Sequence, residues 1–99
     1  MGFRLLPEAE ADLDDIWLYV AKKSGNIEIA NRLIDTITDR FWLLGQQPQI
    51  GRRRDQDLRL GVRSFPVGEY MIVYRVEGNE ALIHHVMRGS RDIERFLNN

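Results

Sequence analysis

An α+β domain of order β-α-α-β-β-β-α, a helical hairpin laid on a small antiparallel sheet with a short C-terminal helix, is what this sequence predicts. Three observations carry that reading. Two apolar stripes of helical period fill the first half, the period changes to two beyond Leu58, and Gly- or Pro-bearing turns separate the segments. Ninety-nine residues, 43% hydrophobic and 29% charged, suit one compact domain spanning 1–99.

Residues 3–6 read as a short strand, cut off by Pro7, which fits a first helical turn because it needs no N–H donor there. Glu8, Glu10 and Asp12 complement the helix N-terminus, and Ala9, Leu13, Ile16, Trp17, Val20 and Ala21 form one apolar stripe. Lys22 and Lys23 suit the C-terminal end, and Gly25 supplies a left-handed stop. Asn26 caps a second helix whose buried face is Ala30, Leu33, Ile34, Ile37, Phe41 and Leu44, with Gly45 and Pro48 ending it. So short a connection implies an antiparallel hairpin. From Leu58, the residues Leu58, Leu60 and Val62 point one way, and Arg59 and Arg63 the other. Residues 66–69 read as a turn, 70–76 as a strand, 77–80 as a second turn and 81–88 as a third strand, an antiparallel meander. Ser90 caps a last helix reaching Phe96 and Leu97.

The absence of Cys excludes disulfides, thiolate chemistry and any Cys-based metal site. No H-x-x-x-H pattern or carboxylate cluster suggests a metal, and no cofactor is expected. No apolar run approaches the roughly 20 residues of a membrane span. Pro7 and the acids after it do not read as a signal peptide, so the expected compartment is the cytosol. Residues 1–50 hold five bases against eight acids, whereas 51–99 hold nine arginines, no lysine and seven acids. The whole chain sums to −1, too little for a protein whose affinity rests on nucleic-acid phosphates.

Several ordered motifs resemble the RelE/ParE toxin superfamily, and its ParE branch most closely. They are Ala9-x-x-x-Leu13-x-x-Ile16-Trp17-x-Tyr19, the stretch from Gly25 to Ala30, and Pro48-x-x-Gly51-Arg52. Leu60-Gly61-Val62-Arg63-Ser64, Tyr70-x-Ile72-x-Tyr74-Arg75 and Val86-Met87-Arg88-Gly89-Ser90-Arg91-Asp92 complete the set, which runs through nearly the whole chain. The resemblance implies the toxin of a type II toxin–antitoxin pair, in a hetero-oligomer with a small ParD-like antitoxin that links it to operator DNA. ParE-type toxins are described as acting on DNA gyrase, whereas RelE-type relatives cut mRNA, usually on the ribosome. A toxin kept only as a co-repressor is a third possibility.

Metal-free RNA cleavage needs a general base, a general acid and cations for the developing phosphorane charge. A catalytic set drawn from this chain would be Arg59, Arg63, Arg91 and His85. Elsewhere the chain departs from the cutting relatives: Met71 follows Tyr70 where another base is usual, Gly61 stands in place of a lysine, and Phe96 has no proton to give. It also has Arg88 where the typical ParE pattern has a histidine. His84 and His85, adjacent on a strand, are expected on opposite sides as structural residues, one hydrogen-bonded over the core and one exposed. The chain therefore reads as a binder rather than a nuclease.

Five arginines fall within residues 51–65. The ordinary reading of Arg52, Arg53 and Arg54 is a solvated loop partly paired with Asp55 and Asp57, and that of Arg63 a pair with an acid such as Glu69. The functional reading gathers Arg59, Arg63, Arg75, Arg88 and Arg91 in one region of the sheet as a grip for carboxylates, which the planar guanidinium fork suits. Trp17, Trp42 and the tyrosines read first as core. A domain this small nevertheless leaves much apolar surface uncovered, and Trp42 and Leu43 are the candidates for a groove that receives an antitoxin helix.

Overall fold

The computed structural model describes residues 2–56 and 58–89. Strand β1 (Gly2–Leu5) leads into α1 (Pro7–Ser24) and α2 (Ile27–Gln46). A 3₁₀ turn (Pro48–Ile50) and strands β2 (Arg52–Arg53), β3 (Val62–Val67), β4 (Tyr70–Glu77) and β5 (Glu80–Arg88) follow.

Local chemistry sets the hairpin. Pro7 opens α1, and Gly25, at φ 67°, closes it by donating its N–H to the Ala21 carbonyl at 2.9 Å. Asn26 Oδ1 accepts the Glu28 N–H at 2.8 Å, so a stop and a cap stand side by side and the chain reverses there. The indole N–H of Trp17 donates to Asn31 Oδ1 at 2.7 Å, tying the two helices across that turn. Gly45 does not end α2. The helix runs through it to Gln46, and Gly45 is buried where α2 meets β1; a Cβ there would lie 2.8 Å from the Gly2 carbonyl carbon. Its small size permits a close approach of two backbones.

The strands lie in the order β1-β5-β4-β3-β2. The α+β class and the helical hairpin are as predicted, but β1 pairs parallel with β5, so the five-stranded sheet is mixed rather than antiparallel throughout. Strand β3 begins at Val62, not Leu58. Gly61 adopts φ 80° and gives its N–H to Asp55 Oδ1 at 2.7 Å, which turns residues 58–61 out of strand geometry and leaves Leu60 80% exposed. At its other end β3 continues to Val67, which pairs with Tyr70, so the turn narrows to Gly68 and Glu69. The helix from Ser90 falls outside the described residues.

The helices cover one face of the sheet. Tyr74, Phe41, Ile37, Leu44, Ile72 and Ile83 are fully buried there. On the other face Leu58 closes over Val62, Val73 and Met87 in a smaller cluster.

Candidate functional site

Strands β3 and β4 grip the segment that follows α2. Arg63 and Tyr74 are cross-strand partners and rise from the helix-bearing face. The Tyr74 phenol donates to the Pro48 carbonyl at 2.7 Å and accepts the Gly51 N–H at 2.9 Å. Burial raises its pKa, so it remains a donor. Arg63 donates to the carbonyls of Gln49 at 3.2 Å and Gly51 at 2.9 Å, and to Gln49 Oε1 at 2.7 Å. The expected pair between Arg63 and Glu69 is replaced by this clamp on a turn.

The arginine run divides. Arg53 pairs with Asp55 at 2.7 Å, as the solvated-loop reading expects, and Asp57 lies outside the described residues. The Asp55 carboxyl is held below its usual range, first by the Gly61 N–H and then by Arg53. Arg54 corrects that reading: it is only 8% exposed. Its Nη1 donates to Ser64 Oγ at 2.9 Å and approaches Met71 Sδ at 3.4 Å, while its carbonyl accepts the N–H groups of Leu58 and Arg59. Arg54 is thus a peg around which the loop folds back over the sheet.

The remaining candidates separate by strand parity. Arg88 is in register with Tyr70 and so stands, like Arg63, on the helix-bearing face. Arg75, in register with Val62 and Leu82, is exposed on the opposite face, and Arg59 is exposed in the loop that folds over that face. Arg91 lies outside the described residues. The four described arginines therefore form no single platform.

The histidines depart from strict alternation as well. Val73 faces His85 but Tyr74 faces Ile83, so His84 is an inserted residue and the alternation that would oppose the two rings is broken. Both are half-buried rather than one being exposed. His85 Nδ1 lies 3.1 Å from Asp12 Oδ2, and the same oxygen accepts the Val86 N–H at 3.0 Å. Beyond Ile83, where β1 ends, Asp12 thus occupies the open edge of β5. His84 Nε2 is buried with no hydrogen-bond partner among the described residues, and burial, followed by Arg75 and His85, lowers the His84 pKa. Among the described residues no group of three or more His, Cys, Asp or Glu gathers as metal ligands.

Two of the apolar features that reach the surface involve candidate residues. Trp42 is 62% exposed rather than core, its ring set edge-on to Phe3 with centroids 5.3 Å apart, and Leu43 beside it is half-buried. At the far end of α1 a cleft of about 350 Å³ opens between the helices and the sheet, walled by Val20, Leu33 and Tyr70 and rimmed by Tyr19, Lys23 and Arg88. The Tyr19 oxygen accepts from Lys23 Nζ at 3.2 Å and from Arg88 Nη1 at 3.0 Å; these bonds, Lys23 first, lower its pKa. Arg88 also lies over the Tyr19 ring, 5.2 Å from its centroid. The sequence offers the Tyr19–Lys23 half of this group as an i, i+4 pair; Arg88 joins it across 69 residues, with no local signal.

Residues 3–93 match the model of the ParE toxin of the parDE type II toxin–antitoxin system. Toxin ParE3 of Caulobacter vibrioides is 30% identical over 82 residues, covering 83% of this chain and 80% of that protein. Toxin ParE1 of the same organism is 34% identical over 74 residues, 75% of each chain. A solved structure described as a chromosomal ParDE system from P. aeruginosa superposes with a TM-score of 0.78 at 26% identity, covering 91% of this chain and 97% of that one. The RelBE2 toxin–antitoxin complex of Mycobacterium tuberculosis shares the fold at a TM-score of 0.64 and 19% identity, covering 88% and 95% of the two chains. Matched along nearly its whole length, the chain belongs to the ParE toxin family of type II toxin–antitoxin systems.

Proposed function

We propose that this toxin acts by binding, with DNA gyrase as its target, and that a ParD-like antitoxin holds it inert in a cytoplasmic hetero-oligomer that reaches operator DNA through the antitoxin. The single observation that carries the choice of binder over nuclease is the strand register. It commits Arg63, a member of the candidate cleaving set, to the turn after α2, while Arg59 is carried by the loop that folds over the opposite face, so these two arginines do not converge on one phosphate. The ParDE complex among its structural relatives supports an antitoxin partner. Arg59, Arg75, Arg88, Arg91, Trp42 and Leu43 remain the proposed contacts, and Arg63 enters by fixing the shape of the turn beside them.

Expression of the chain without an antitoxin is expected to arrest growth, induce the SOS response and trap gyrase–DNA cleavage complexes. Intact DNA with rapid transcript loss, mapped by primer extension to defined cuts, would instead establish the mRNA endonuclease. Unimpaired growth would leave the co-repressor role.

A further inference from the structure

Glu10, Leu13, Asp14 and Trp17 recur at spacings of three, one and three, so one strip of α1 carries all four. With Ile34 of α2 they line a second cleft, of about 360 Å³, between the helices. Leu13 and Ile34 also pack onto the core and give this cleft an apolar base. The Trp17 ring is half-buried, and its N–H bond to Asn31 fixes how it stands. Glu10 and Asp14 are both exposed and form no ion pair among the described residues. No residue three or four positions from either acid is basic, and the described residues that line the cleft include no base. Like charges four apart on a helix repel, so a cation set between them relieves a cost that the chain otherwise carries. Two carboxylates and an aromatic ring thus meet over an apolar base.

We propose that this cleft receives an arginine from a protein segment of the toxin's target. The guanidinium lies against the Trp17 ring and donates to Glu10 and Asp14, while an apolar side chain beside it rests on Leu13 and Ile34. Arginine fits better than lysine, because a planar guanidinium stacks on an indole while its N–H fork reaches a carboxylate. The sign of the charge selects the occupant's class. Two unneutralised carboxylates repel the phosphates of nucleic acid and an acidic polypeptide alike, and residues 1–50 reinforce that sign with eight acids against five bases. The cleft is therefore matched to a different occupant from the arginine-bearing surfaces, which suit carboxylates. The proposal rests on the reading that the toxin acts by binding a protein.

The chain has two tryptophans, so Trp42→Phe leaves Trp17 as the sole indole and its emission reads the cleft directly. The probes are synthetic 12-residue peptides of neutral polar residues around a central Leu-Arg pair, with variants Arg→Lys, Arg→Gln, Arg→Glu and Leu→Ala. The Leu-Arg peptide is expected to change the Trp17 emission saturably. The lysine peptide should bind about threefold more weakly, and the glutamine and alanine peptides about tenfold, the loss of one charge-assisted contact or one apolar anchor. Glu10→Gln and Asp14→Asn in the protein should each weaken binding about tenfold. Both side chains are exposed, and circular dichroism certifies that the variants are folded. No saturable change, equal binding of the glutamine or glutamate peptide, equal binding by the Gln and Asn variants, or self-association of the chain through this cleft would each overturn the proposal. Growth arrest is scored separately, in the chain with both tryptophans, and the Glu10→Gln, Asp14→Asn double variant is expected to lose it. Arrest that the double variant retains in full keeps the toxin reading and overturns the role of the cleft. A harmless wild-type chain loses the toxin reading, and the peptide series then decides the arginine seat by itself.

Discussion

Tyr74→Phe removes one oxygen atom and keeps the ring, in a position that is fully buried. That oxygen holds both ends of the segment after α2, as donor to Pro48 and acceptor from Gly51. With phenylalanine the Gly51 N–H, itself buried, loses its partner, and the Pro48 carbonyl loses a short hydrogen bond. Leaving a buried donor unsatisfied costs about 1–3 kcal/mol, and the second bond contributes about 1 kcal/mol more. The sum, roughly 2–4 kcal/mol, is a large share of the ~5–15 kcal/mol that stabilises a domain of this kind. At about 4–8 °C per kcal/mol for a domain this small, Tm should fall by at least about 8 °C in a thermal melt followed by circular dichroism. Tyr70→Phe is the matched control, because the Tyr70 phenol makes no hydrogen bond among the described residues; it should lie close to wild type. A Tyr74→Phe protein melting within about 3 °C of wild type, or no lower than Tyr70→Phe, would show that the phenol does not anchor the turn.

Gly45→Ala should destabilise by about 1–3 kcal/mol in urea unfolding although alanine favours helix, because the added Cβ meets the Gly2 backbone at 2.8 Å and backbone cannot rotate away. A stabilised variant would contradict that contact. Asp12→Ala should cost about 1–2 kcal/mol and speed hydrogen exchange at the Val86 amide, while Asp12→Asn, which keeps an acceptor, should restore most of the protection. Unchanged exchange in Asp12→Ala would remove Asp12 from the edge of β5. His84 has a folded pKa below its ordinary 6.5, so between those two values the unfolded chain binds more protons and stability falls as pH drops. The contribution is fully present above pH 6.5 and is lost downward from there; His84→Leu should flatten that part of a Tm–pH profile, and an identical slope would exclude His84 as its source.

How far each feature could be read ahead depended on the distance between its parts. Pro7, Gly25 and Asn26 act within one turn of themselves, and accordingly α1 starts and stops, and α2 starts, at those residues. Gly45 reads locally as a helix stop, but it lies inside α2 and its role is set by a strand more than forty residues away. Leu60 fits an alternating pattern that the Gly61 turn interrupts, so pattern alone places it wrongly. Trp42 sits next to a core residue on its helix, and only the position of Phe3 shows that it stays outside, stacked on an edge.

The arginines show the same division at the site. Their number and their bias to the second half follow from composition and the alternation of the strands from the apolar pattern, while the family is carried by the ordered motifs and the match over residues 3–93. Which face each one meets follows from register, and register is fixed by hydrogen bonds between strands that the chain brings together only on folding. A shift of one residue would reverse every assignment. The sequence determined by itself the helical hairpin and the run of strands after it, which rest on periodicity and on caps a few residues long, and the kinship to ParE toxins, which its ordered motifs carry; it did not show the short strand Arg52–Arg53. Tertiary structure alone decided that Arg54 is buried, that Arg63 clamps a turn, and that Tyr19, Lys23 and Arg88 meet above an apolar cleft, because each of those contacts joins segments with no local claim on one another.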